Sequence, residues 1–241
     1  MARQKGTIAI EEAVLNPDGL DWYVRKTAAF FAPGQSVDLR EHAVTKAILD
    51  IHTDRVARMD ENGVDYMLLS LTSAGPQGEP DSSRALDMAI SANSWLAEQA
   101  ALNPKRFGGL ASLPMHDAAT AAQELRRAVQ ELGMFGAIIN DYQEVFEADG
   151  TEGKRYYDGT EYDPFWAAVE ELDVPVYLHP RYPVTSELEP GAKYGSSRRH
   201  LLGAAVQFHL DLSFHVYSLC SSGVFDRFPK VQVVIGHLGE G

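Results

Sequence analysis

Short apolar runs rich in Val, Ile and Leu recur along this chain, and between most of them lie longer stretches whose apolar residues repeat every three or four positions. This β-then-α alternation restricts the chain to a few layered α/β architectures. The spacing predicts strands over residues 7–10, 64–70, 107–112, 135–139, 174–178 and 231–235, and helices over about 44–62, 83–102, 118–132, 164–172 and 200–222. Tyr66-Met67-Leu68-Leu69 and Val231-Gln232-Val233-Val234-Ile235 come close to the unbroken apolar runs of strands buried on both faces, so the sheet is expected to be parallel. Residues 141–163 and 180–199 read as long loops after strand ends.

An open doubly wound sheet and a barrel both fit that order, and the glycines favour the barrel. No G-x-G-x-x-G follows the first strand and no G-x-x-x-x-G-K-[ST] occurs, so nothing prepares a helix N-terminus for a pyrophosphate. Instead Glu11, Ser70, Asn140, His179 and His237 stand just after strand ends, positions that converge at the mouth of a (β/α)8 TIM-like barrel. Only about six β/α units are present, so the 1–241 unit is expected to be a single barrel domain whose last units lie outside this sequence or are supplied by another segment or subunit.

Composition removes several partner classes. The 241 residues carry a formal charge of −13, which argues against nucleic acid and anionic membranes. No uncharged apolar run approaches the roughly 20 residues of a membrane span, and the N-terminal apolar stretch is too short for a signal-peptide core, so a cytoplasmic location is expected. The single cysteine, Cys220, has no intrachain disulfide partner and reads as a small buried hydrophobe.

Three strand ends carry candidate chemistry. Glu11 and Glu12 alternate, so if Glu11 and Ala13 face the barrel mouth, Glu12 faces the helices; a solvated strand end is the other reading. His179, held extended by Pro180, is either a satisfied histidine or a ligand that, with Glu11, suits Zn2+ or Mn2+. In Gly236-His237-Leu238-Gly239-Glu240, His237 and Glu240 could form an imidazole–carboxylate dyad, or the segment is a plain glycine turn. His209 and His215, inside a helical stretch, fit packing or surface roles.

In order, the stretches IAIEEA (8–13), TDRVARMDENGVDYMLLSL (53–71), GPQG (75–78), LDVPVYLHP (172–180), GVFDRFP (223–229) and IGHLGEG (235–241) resemble the amidohydrolase-superfamily aromatic acid decarboxylases, which act on gamma-resorcylate, 2,3-dihydroxybenzoate and salicylate. The resemblance implies a distorted (β/α)8 barrel of the amidohydrolase type with one divalent ion at its C-terminal mouth, Zn2+ first and Mn2+ as the alternative. It implies Glu11 and His179 as metal ligands, His237 and Glu240 as the catalytic dyad, and Phe31 and Asn140 at the substrate. Ala13 stands where some members have a further histidine. The family's last ligand and proton donor, an aspartate on the eighth strand, would fall beyond Gly241. The implied reaction is metal-dependent, non-oxidative and reversible decarboxylation of a small ortho-hydroxy aromatic carboxylic acid by a homodimer or homotetramer. A metal-dependent hydrolase of the same superfamily and a catalytically silent ligand-binding subunit are the alternatives.

Overall fold

The computed structural model describes residues 6–31 and 38–237, with the backbone alone at positions 29 and 31. β1 (Thr7–Val14) is followed by α1 (Leu20–Phe31), α2 (Ala43–Leu49) and α3 (Asp54–Asn62); β2 (Val64–Leu71) leads into α4 (Ser82–Leu102). β3 (Phe107–Gly109) and β4 (Ala111–Ser112) precede α5 (Ala118–Gln130), and β5 (Ala137–Asn140) runs into the hairpin β6 (Gln143–Phe146) and β7 (Glu152–Arg155). α6 (Asp163–Leu172), β8 (Val176–His179), α7 (Gln207–Ser221), α8 (Val224–Arg227) and β9 (Val233–Ile235) complete it.

The strands pair in parallel in the order β1-β2-β3 and β4-β5-β8-β9, and the two runs join through Leu110, which bridges β3 to β4. Merging β3 and β4 gives the six expected strands. Among the described residues β1 pairs only with β2 and β9 only with β8, so the curved sheet is open between them.

Strand alternation sorts side chains into two layers. Met67, Leu69, Ala137, Ile139, Val176 and Leu178 point outward and pack with helix residues such as Leu96, Leu125, Phe165 and Trp166 in the main core. Each fully buried side chain of this size contributes about 1.5–3 kcal/mol relative to exposure. The intervening residues Leu68, Leu110, Ile138, Tyr177 and Val234 gather on the concave side. A third cluster, Leu15, Tyr23, Val24, Leu39 and Ile48, fastens α1 and α2 beside the end of β1.

Several expected boundaries move. The helix expected over 44–62 is two helices, broken where the Asp50 carboxylate accepts from the backbone N–H of Thr53 and Arg55 at 3.3 and 2.9 Å. The helix expected from 200 begins at Gln207, after Gly203 takes a left-handed φ of 80°. The expected 141–163 loop contains the β6–β7 hairpin, and α1 lies where no element was expected. Cys220 is exposed, because the buried face of α7 is formed by Phe208, Leu212, His215 and Leu219.

Candidate metal centre

Three strand ends deliver side chains to the concave side by different local means. On β8, Val176 and Leu178 are committed to the outer core, so Tyr177 and His179 face inward. On β1, Ala9 opposes Met67 and Glu12 opposes Leu69, leaving Ile10 and Glu11 together against Leu68 alone. This is a β-bulge, a device that re-aims side chains beside functional sites. It turns Glu11 to the concave side while Glu12 pairs with Arg55 of α3 at 3.0 Å. After β9, alternation alone would send His237 outward, but its backbone adopts φ 53°, the left-handed region uncommon for non-glycine residues, and its ring reaches Glu11. Gly236 is required just before it: a Cβ there would lie 2.8 Å from the Tyr177 ring.

Oε1 of Glu11 is 2.9 Å from Nε2 of His179 and 3.0 Å from Nε2 of His237, and the Tyr177 hydroxyl donates to Oε2. The two imidazoles meet edge to face with centroids 5.0 Å apart. Burial opposes ionisation of Glu11, but the His179 and Tyr177 hydrogen bonds and the charge of both imidazoles outweigh it, and the carboxyl is lowered to about 2. One ligand atom from each of Glu11, His179 and His237 lies within 4.8 Å of the others. A carboxylate oxygen and imidazole nitrogens converging in this way fit a divalent transition-metal ion. Nδ1 of His179 makes no hydrogen bond among the described residues, so its ring is aimed from the Nε2 side.

The centre opens into a cavity of about 270 Å3. An apolar cavity of roughly 150 Å3 accepts benzene, so a substituted single ring fits. The inward face of α1 supplies Trp22, Tyr23, Lys26 and Phe30, and Phe30 stacks on Tyr182 at 4.9 Å. Phe208 crosses Tyr182 at 5.2 Å and His237 at 5.7 Å, so an aromatic wall runs from α1 to the candidate ligands. Asn140 lines the cavity, yet its amide is engaged within the protein: Oδ1 accepts from Ser73 Oγ at 2.6 Å and Nδ2 donates to Ala74 O at 3.1 Å. The side chain of Phe31 and the whole of Glu240 lie outside the described residues.

Sequence reasoning missed the α1 face, Tyr177, Tyr182 and Phe208. Tyr177 was recoverable, since a residue two before His179 on a strand shares its face. It also missed the polar layer beneath the cavity. His215 is buried, its Nε2 accepts the Tyr157 N–H at 3.2 Å, and its Nδ1 lies 3.1 Å from the buried Asp141 carboxylate. The Asp141 N–H in turn donates to the carbonyl of His179 at 2.8 Å.

The amidohydrolase family model matches residues 37–241. A gamma-resorcylate decarboxylase of Rhodococcus jostii (strain RHA1) is 40% identical over 237 residues, covering 98% of this chain and 68% of that protein. This chain belongs to the amidohydrolase family. Among its solved members, a dihydroxybenzoic acid decarboxylase from Polaromonas sp. JS666, described with bound manganese and the inhibitor 2-nitroresorcinol, superposes with a TM-score of 0.85 at 38% identity, over 99% of this chain and 67% of that one. A 2,6-dihydroxybenzoate decarboxylase complexed with 2,6-dihydroxybenzoate gives 0.84 at 37% identity, over 99% and 68%. The amidohydrolase barrel is thus the fold, as expected, with this chain spanning about two thirds of such relatives. The expected order of zinc before manganese gains no support from the manganese-bound member.

Proposed function

We propose that this amidohydrolase catalyses metal-dependent, non-oxidative decarboxylation of an ortho-hydroxybenzoate. The observation that carries the reading is the meeting of Glu11, His179 and His237 at one end of a cavity walled by aromatic rings. The named activities of the relatives add to it.

Glu11 and His179 would hold the ion, with Tyr177 fixing the second oxygen of Glu11. The ion is assigned as manganese, in keeping with the manganese-bound relative. Once bound, a divalent cation would supply Lewis-acid charge that stabilises the negative charge of an ortho-hydroxy carboxylate. The Phe30–Tyr182–Phe208 wall orients the ring face. Nε2 of His237, beside the ligand carboxylate, holds the proton exchanged with the phenolic oxygen, with Glu240 as its partner in the dyad. A proton from an acid outside the described residues, the aspartate that the resemblance implies, would then add to the ring carbon that bears the carboxylate. The C–C bond breaks, its electron pair returns to the ring, and neutral CO2 departs into surroundings that are largely apolar on the aromatic side. High bicarbonate drives the reverse carboxylation. Asn140 shapes the cavity through the 73–78 turn rather than through a free amide.

We place the protein in the cytoplasm as a homo-oligomer; no described helix is long and apolar enough to cross a membrane, and Leu210, Phe214 and Tyr217 expose an apolar stripe on α7. The test is metal analysis together with CO2 release from a panel of hydroxybenzoates, with His179→Ala as control. Metal-dependent CO2 release from ortho-hydroxy acids alone is expected. A metal-replete protein that leaves every ortho-hydroxy acid intact would defeat the assignment.

A further inference from the structure

Two basic side chains, Lys26 and Arg181, line the cavity, and they share one carboxylate. Glu144 of β6 offers Oε1 to Lys26 Nζ at 2.5 Å and Oε2 to Arg181 Nη2 at 2.8 Å. The Glu144 side chain is 3% exposed and that of Arg181 1%, whereas that of Lys26 is 25% exposed. Arg181 has its remaining needs met inside the protein: Nη1 donates to the carbonyl of Gln77 at 2.7 Å, and the guanidinium rests on the Tyr142 ring at 4.3 Å. Among the described residues Lys26 has Glu144 as its sole hydrogen-bond partner, although an ammonium carries three donors.

Two cations and one anion leave the buried cluster one positive charge in excess. That excess is expressed at the more exposed of the two lining cations, Lys26, at 25% against 1% for Arg181. A cation beside a low-dielectric, aromatic wall attracts an anion far more strongly than one in open water. The candidate metal centre attends to one carboxylate, so an anion met at Lys26 is a different group. Lys26 stands on α1 beside Tyr23 and Thr27 and one helical turn from Trp22 and Phe30, on the face that lines the cavity.

We propose that Lys26 is a specificity-determining residue that receives a second carboxylate on the substrate ring, so that the preferred substrate is an ortho-hydroxy aromatic dicarboxylic acid, of which one carboxylate is lost and the other held. The proposal rests on the decarboxylase reading for the identity of the reaction, and on the Lys26–Glu144–Arg181 cluster for the recognition.

Isophthalate and benzoate differ by one carboxylate and lack the ortho hydroxyl that the reaction needs, so they probe recognition without turnover. Titrated calorimetrically into the manganese-loaded full chain, isophthalate is expected to bind at least about tenfold more tightly than benzoate, which is about 1.4 kcal/mol. Lys26→Met is expected to abolish that preference and Lys26→Arg to retain most of it. Lys26→Met leaves the Arg181–Glu144 pair in place, and a thermal melt checks that the fold persists. A preference unchanged in Lys26→Met, or equal weakening of both acids, overturns the proposal. CO2 release from hydroxylated mono- and dicarboxylic acids separates the two readings. Turnover without a Lys26-dependent preference sinks this inference alone. A Lys26-dependent preference in binding, with no CO2 from any acid, sinks the decarboxylase reading alone.

Discussion

Glu11 Oε1 and His179 Nε2 lie 2.9 Å apart on the concave side of the sheet, one carried by the bulged β1 strand and the other by the last residue of β8. Each arrives by backbone geometry, and each offers one ligand atom to the candidate centre. Removing either should therefore act on metal retention first.

His179→Ala is expected to lose manganese affinity by roughly a hundredfold or more, above the 10–100-fold typical of residues that only orient a ligand. His237→Ala should keep its metal and lose kcat by about 10²–10⁴, the usual share of a positioned acid–base group. Metal content per chain after dialysis, set beside single-turnover rates, distinguishes the two. Loss of metal in His237→Ala would instead make His237 a ligand.

Tyr177→Phe removes one hydrogen bond from Glu11 while leaving the ring that fills the concave layer. Metal affinity should drop by about 10–100-fold with little change in melting temperature. An unchanged dissociation constant would show that Glu11 is aimed by the bulge alone.

The Glu11 carboxyl, lowered to about 2 from an ordinary 4.5, contributes stability that is complete above 4.5 and is lost as pH falls towards 2. Denaturant melts of metal-free protein between pH 6 and 3 should therefore fall more steeply for wild type than for Glu11→Gln. Parallel curves would contradict the lowered value.

His215→Ala strips the buried Asp141 carboxylate of its imidazole partner. Leaving a buried acceptor short of a hydrogen bond costs about 1–3 kcal/mol. Chemical denaturation reads this directly, and a cost below about 1 kcal/mol would mean that water replaces the ring. Because the Asp141 N–H holds the His179 carbonyl, metal affinity should weaken too.

The parallel sheet was legible because strands covered on both faces write their burial as apolar runs, and Glu11, His179 and His237 were legible because each follows such a run. The α1 wall was not. Its inward face mixes Trp22, Tyr23 and Phe30 with Lys26 and Thr27, since it borders a cavity rather than a core, and so it lacks a clean apolar period. The β6–β7 hairpin was hidden by its buried polar residues Gln143 and Glu144, although Asp149-Gly150 is a strong turn signal. The bulge at Ile10-Glu11 and the left-handed backbone of His237 are set by tertiary pairing and leave no local pattern to read.

The helix that carries Lys26 is fastened by Leu15, Tyr23, Val24, Leu39 and Ile48, a cluster separate from the core behind the strands. A substitution at the cavity-facing Lys26, which is outside that cluster, therefore leaves the anchors of the helix in place. Selection can retune which acids are admitted without disturbing the chemistry that consumes them, as a lock can be rekeyed while its bolt stays where it is.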